Sequence, residues 1–191
     1  MQRSISVVAV AALLVTPALA HTGVGATSGF SAGVMHPLTG LDHLIAMVAV
    51  GLLAGFSGGR ALWLWPTSFV SLMLFGAYLG ASGIDLPARE TLIVVSILVL
   101  GAIMIGVARL PVILGAAVIG LIAVFHGHAH GAEMAPGVNG LEYAAGFAAA
   151  TAALHGCGIT IARLNEITGE WLRPVAGGAI VAAGIVLASI G

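Results

Sequence analysis

Seven histidines, more than the six arginines, carry most of the chemical capacity of this 191-residue sequence. Neutral imidazole is the commonest metal ligand, and imidazoles grouped with carboxylates suit borderline divalent cations such as nickel, cobalt and zinc. His36 precedes Pro37, a residue favoured in the first turn of a helix. His43 follows seven residues later, and on one helix that spacing returns it to nearly the same face, about 10 Å deeper. Asp42 then points about 100° away, so it reaches the same ion only with help from another helix, or serves as an acceptor behind a ligand. An Asp–His pair in an apolar segment is expensive and by default functional. The second grouping is Phe125-His126-Gly127-His128-Ala129-His130-Gly131-Ala132-Glu133. Its three histidines point one way if the chain is extended, whereas His126 and His130 share a face if it is helical. With Glu133 they form an imidazole and carboxylate cluster. His155, beside Cys157, is the third candidate, about 21 Å into a later apolar span and past the bilayer middle. Cys157 itself reads as a packed small residue.

These groups need a scaffold, and composition says which. The chain is 60% hydrophobic and 7% charged, with no lysine, and its mean hydropathy is +1.14. A soluble domain carries roughly 25% charged residues to cover its surface, so soluble globular and disordered classes are excluded. Six arginines against seven acidic residues leave no basic patch for nucleic acid. A single cysteine excludes an internal disulfide framework and a Cys-rich zinc module. The expected class is an all-α polytopic membrane protein whose 28 glycines suit close helix packing.

The amino terminus has the form of a signal peptide over residues 1–20: Arg3, a short apolar run, Pro17, and an Ala18-Leu19-Ala20 cleavage site. The alternative is an uncleaved first membrane helix. Cleavage leaves His21 as the first residue of one domain, 21–191, and its α-amino group and imidazole together offer an ion two nitrogens. Apolar stretches at 38–56, 62–81, 91–108, 112–125, 141–164 and 171–190 predict a six-helix bundle with short loops, one of them at 127–140. With the mature amino terminus outside, Arg60, Arg109, Arg163 and Arg173 face the cytoplasm and only Arg89 lies outside, as the positive-inside rule requires. Trp63, Trp65 and Trp171 then mark the inner interface, and Tyr78 and Tyr143 the outer one. Gly51/Gly55, Gly76/Gly80 and an Ala145, Ala149, Ala153 stripe read as packing surfaces.

The run His36-Pro37-Leu38-Thr39-Gly40-Leu41-Asp42-His43, followed by Met47 and Gly51, resembles the signature of the HupE/UreJ family of nickel/cobalt permeases, the hydrogenase and urease accessory membrane proteins. The His126 to Glu133 segment and Leu154-His155 resemble further blocks of that family, so the likeness covers nearly the whole mature chain. It implies secondary uptake of Ni²⁺ or Co²⁺ across the bacterial inner membrane for metalloenzyme maturation, with no prosthetic group; the arginine placement above puts both mature termini on the periplasmic side. It also implies that His36, Asp42 and His43 are motif residues of the first helix. One residue more separates His36 from Asp42 than in the nickel/cobalt transporter signature, which leaves direct coordination by Asp42 open.

Energy for such uptake needs no nucleotide, and without lysine there is no P-loop or implied ATPase subunit. About 100 mV supplies roughly 4.6 kcal/mol for a doubly charged ion, enough for about a thousandfold accumulation. His21, His128, His130 and Glu133 are expected to capture the ion outside, His36, His43 and Asp42 to hold it within, and His155 to pass it inward. Two other classes fit the residues. One is an intramembrane zinc-dependent hydrolase with His36, His43 and His126 as ligands and Asp42 or Glu133 as base, for which no oxyanion hole is evident. The other is a metal sensor or chaperone, which would bind without flux.

Overall fold

The structure is a computed structural model that describes residues 29–106, 110–168 and 171–190. The signal segment, His21 and Arg109 lie outside the described residues. Seven helices are present and no strand among the described residues: α1 (Gly29–Thr39), α2 (Leu41–Ser57), α3 (Ala61–Ala81), α4 (Arg89–Ile105), α5 (Val112–Ala132), α6 (Gly140–Thr168) and α7 (Leu172–Ile190). By length and composition α3, α5, α6 and α7 each suffice to cross a membrane, and α1 with α2 makes a fifth if the bent pair is counted as one span.

That break changes one expectation. His36 and His43 do not sit on one helix, because the chain turns by 85° between α1 and α2. Pro37 removes a backbone donor near the end of α1, and Gly40, with its low helix propensity, adopts an extended conformation at φ −88° and ψ 111°. A second correction concerns the expected loop at 127–140. Helix α5 runs on through the histidines to Ala132. Gly127 and Gly131 lie flush against the backbone of Met73 and Ala77, so α3 supplies the packing that keeps this glycine-rich turn helical.

Besides α1 on α6, three helix pairs pack closely. α3 and α5 run parallel, with Gly115 against Trp65 at one end and Gly131 against Ala77 at the other. Two α3 side chains donate into this pair: Trp65 Nε1 to the Val112 carbonyl and Ser68 Oγ to that of Ala116, each at 2.8 Å. α2 and α6 are also parallel, Gly51 meeting His155 and Gly55 meeting Ala162. α4 and α7 are antiparallel, Gly101 meeting Val181 and Gly177 meeting Ile105. The expected glycine pairs therefore do pack. The alanine stripe does not, since Ala145, Ala149 and Ala153 face outward while α6 buries Tyr143, Phe147, Thr151 and His155. Trp65 and Tyr143 are likewise core residues, 1% and 5% exposed, rather than interface markers.

Polar side chains fix both ends of the bundle. Asn139 Oδ1 caps α6 by accepting from the Leu141 and Glu142 amides, and Glu142 Oε2 accepts from the Gly29 amide to tether α1. At the opposite end Arg173 donates to the carbonyls of Met104 and Gly106, satisfying the terminal acceptors of α4 with a cation.

Candidate metal centre

The bend at Gly40 and the helical continuation of α5 together bring four histidines into one file. His130 lies 4.7 Å from His36 and 4.5 Å from His43 between ring centroids, and His43 lies 4.9 Å from His126. His36 and His43 are 6.4 Å apart despite standing on different helices. His36 is at the rim, where Nε2 lies 3.4 Å from Glu133 Oε2. His126 and His130, one turn apart on α5, are fully buried. Phe147 stacks on His130 at 5.1 Å, and Tyr143 meets the edge of His36 at 5.8 Å.

Hydrogen bonds assign the protons on two of these rings. Asp42 Oδ1 accepts from the His43 amide at 2.8 Å and stands 2.9 Å from His43 Nδ1, which therefore carries the ring proton. The Nε2 lone pair of His43 is left buried with no hydrogen-bond partner. At His126 the Ser96 hydroxyl donates to the Ile93 carbonyl at 2.6 Å, so its oxygen accepts from His126 Nε2–H at 3.0 Å. That leaves Nδ1 of His126 bare, and both nitrogens of His130 are bare as well. A buried polar atom without a partner costs about 1–3 kcal/mol. Four such nitrogens in one file are an expensive arrangement for a core and a useful one for an ion that seeks lone pairs. Among the described residues no three His, Cys, Asp or Glu side chains yet converge at ligating distance. The rings touch edge to face.

Asp42 thus stands behind His43 rather than in the file, and it also lines a cleft of about 480 Å³ shared with Glu90 and Thr91. Glu133 closes α5 as its carboxy-terminal cap. The hydrogen bond from His36 holds its carboxyl below the ordinary value, against the burial that pushes it up, so Glu133 remains an anion at the rim. His128 is placed elsewhere: it turns toward the segment that follows α3, where its Nε2–H donates to the Ile84 carbonyl at 2.6 Å. His155 lies deeper, 1% exposed, separated from His126 by Phe69, which touches both rings at 5.1 and 5.9 Å. Ser96, Phe69, Tyr143 and Thr151 were not legible as site residues. Ser96 and Thr151 are single hydroxyls in apolar runs, and nothing in their spacing distinguishes them from helix packing.

The Ser96 contact makes a first prediction. Ser96→Ala frees the His126 tautomer and is expected to weaken nickel affinity roughly 10- to 100-fold, with helical content unchanged. Equilibrium dialysis of the purified variant measures it, and unchanged affinity removes Ser96 from the site.

The family model described as HupE / UreJ protein matches residues 8–187. Protein HupE of Rhizobium leguminosarum bv. viciae is 44% identical over 178 residues, spanning 92% of this chain and 93% of its own. No solved structure matches the chain.

Proposed function

Since the chain belongs to the HupE/UreJ family, we propose that it is a secondary transporter that takes up Ni²⁺ or Co²⁺ through the histidine file. The observation that carries this reading is the set of unpartnered ring nitrogens on His126 and His130, inside a helix apolar enough to cross a membrane, and on His43 of the bent α1–α2 pair beside them. Glu133 and His36 form the mouth. The anion attracts the hydrated cation, and imidazoles then replace its water ligands one at a time. Beyond the rim the donors are neutral, so the ion keeps its charge and is not trapped as it would be among carboxylates. Asp42 acts by orienting His43. The metal is cargo here.

The reading includes six spans, with the 17 residues of α4 as the third. Two parallel pairs and one antiparallel pair are what alternating crossings produce when α2 and α6 run one way and α3 and α5 the other. Arg173 at the carboxy-terminal end of α4, and Arg163 beside Gly58, support a cytoplasmic face opposite the mouth. On this topology the mouth and both mature termini are periplasmic, and the membrane potential drives the cation inward.

External pH tests the proposal. An unperturbed imidazole gains a proton near pH ~6.5 and then cannot bind metal. Glu133, held below its ordinary value, stays ionised throughout this range and contributes no matching loss. Nickel uptake by proteoliposomes is therefore expected to fall with decreasing external pH, as protons compete for the imidazole lone pairs. Uptake that stays unchanged down to the pH at which the protein unfolds would assign the ion to carboxylates and backbone carbonyls instead.

A further inference from the structure

We propose a second cation site at the centre of the molecule, formed by Met47, Met73, Thr151 and His155, on a two-fold axis that relates two inverted halves of the chain; it rests on the transport reading above. The axis is visible in the helix contacts. Gly101 lies against Val181 and the Gly177 carbonyl, while Gly177 lies against Ile105 and the Gly101 carbonyl. Each description becomes the other when Gly101 exchanges with Gly177 and Ile105 with Val181, at one constant offset. An operation that exchanges two antiparallel helices, α4 and α7, is a two-fold rotation about an axis perpendicular to both. The same offset carries α2 onto α5, and a second constant offset carries α3 onto α6. Under it, Gly51 against the His155 carbonyl becomes Gly127 against the Met73 carbonyl, and Gly158 against Val48 becomes Gly76 against Val124. Each half then holds three crossings, an odd number, so the two halves are inverted with respect to the membrane.

The axis also passes between α3 and α6. There the contact of Phe69 with His155, at 5.1 Å, exchanges with that of Met73 with Thr151, at 3.6 Å. Carriers built from inverted repeats hold their cargo at this interface while one half rocks against the other. The groups gathered here are suited to that use. His155 is 1% exposed and neither of its ring nitrogens has a hydrogen-bond partner. Thr151, one turn away on the same face of α6, is fully buried and donates to the sulfurs of Met47 at 3.3 Å and Met73 at 3.6 Å. Both methionines are fully buried. An imidazole, two thioethers and a hydroxyl make a neutral, comparatively soft donor set. Magnesium and calcium favour carboxylate, carbonyl and water, so this site passes nickel or cobalt and turns away the abundant hard cations. Phe69, between His126 and His155, separates the outer file from it.

Nickel-edge X-ray absorption on the selenomethionine-labelled full chain tests the site directly. Nickel–selenium scattering is expected at saturating nickel, and is expected to vanish in Met47→Leu/Met73→Leu, a swap that conserves volume and is tolerated in cores. The same double variant is expected to retain nickel binding by the outer histidines in equilibrium dialysis while its uptake falls roughly tenfold or more. Wild-type protein without selenium beside its nickel, or a double variant with wild-type uptake, overturns the central site. Nickel–selenium scattering in a wild-type protein that moves no nickel across the vesicle membrane supports the site and overturns the transport reading.

Discussion

His43→Ala is expected to abolish nickel and cobalt uptake while leaving the helical fold intact. His43 is the ring that meets the other three, at 6.4, 4.5 and 4.9 Å from His36, His130 and His126. It also presents its Nε2 lone pair with no competing partner. Removing it leaves a gap in the file that no neighbouring donor spans. The small side chain suits α2, whose core face there is already lined by Ala46 and Ala49. Asp42→Asn tests the proton assignment behind the same ring. The amide oxygen still accepts from Nδ1–H, yet the charge that makes His43 a stronger donor is gone. A loss of roughly 10- to 100-fold in affinity is expected, with residual uptake at high metal. Uptake is read in proteoliposomes and folding by circular dichroism, and wild-type flux in His43→Ala removes the ring from the path.

The second large effect concerns the scaffold. Gly76 lies flush against the Val124 carbonyl and the His128 amide, where a Cβ has no room and the obstacle is backbone. Gly76→Ala is expected to force α3 and α5 apart and to cost roughly 1–3 kcal/mol, with larger residues failing to fold. Because α5 carries His126 and His130, the same shift is expected to weaken nickel binding. Gly178→Ala is the control, since nothing lies within 4 Å of its Cβ position. It gains helix propensity and is expected to be neutral or mildly stabilising. Thermal unfolding in detergent measures both, and equal midpoints would show that the α3–α5 contact tolerates separation.

Much of the outer site was legible because its residues cluster in sequence. His126 and His130 are one helical turn apart, and the Asp42-His43 pair is costly enough in an apolar run to mark itself. The relation between His36 and His43 was not legible. A continuous apolar pattern through Leu38 and Leu41 conceals the change of direction at Gly40, which depends on α1 lying against α6 through Gly29, Gly33 and Gly146. The end of α5 was hidden for a related reason. Gly127 and Gly131 read as loop residues in isolation, and only the approach of α3 makes them packing residues. His128 illustrates a limit of composition: three histidines in one motif invite one role, yet helical geometry turns the middle one away to bond the Ile84 carbonyl. Two of the predicted markers, Trp65 and Tyr143, are buried because each finds work inside the bundle, Trp65 as a donor to Val112 and Tyr143 beside His36.

The measurement that bears most directly on the account is radioactive nickel accumulation in sealed proteoliposomes under an imposed inside-negative potential. At about 100 mV the gradient on a doubly charged ion is worth roughly 4.6 kcal/mol, and accumulation approaching a thousandfold is predicted, collapsing when the potential is dissipated. Nickel bound by the protein in those vesicles, with none gained in their lumen at any potential, would contradict it.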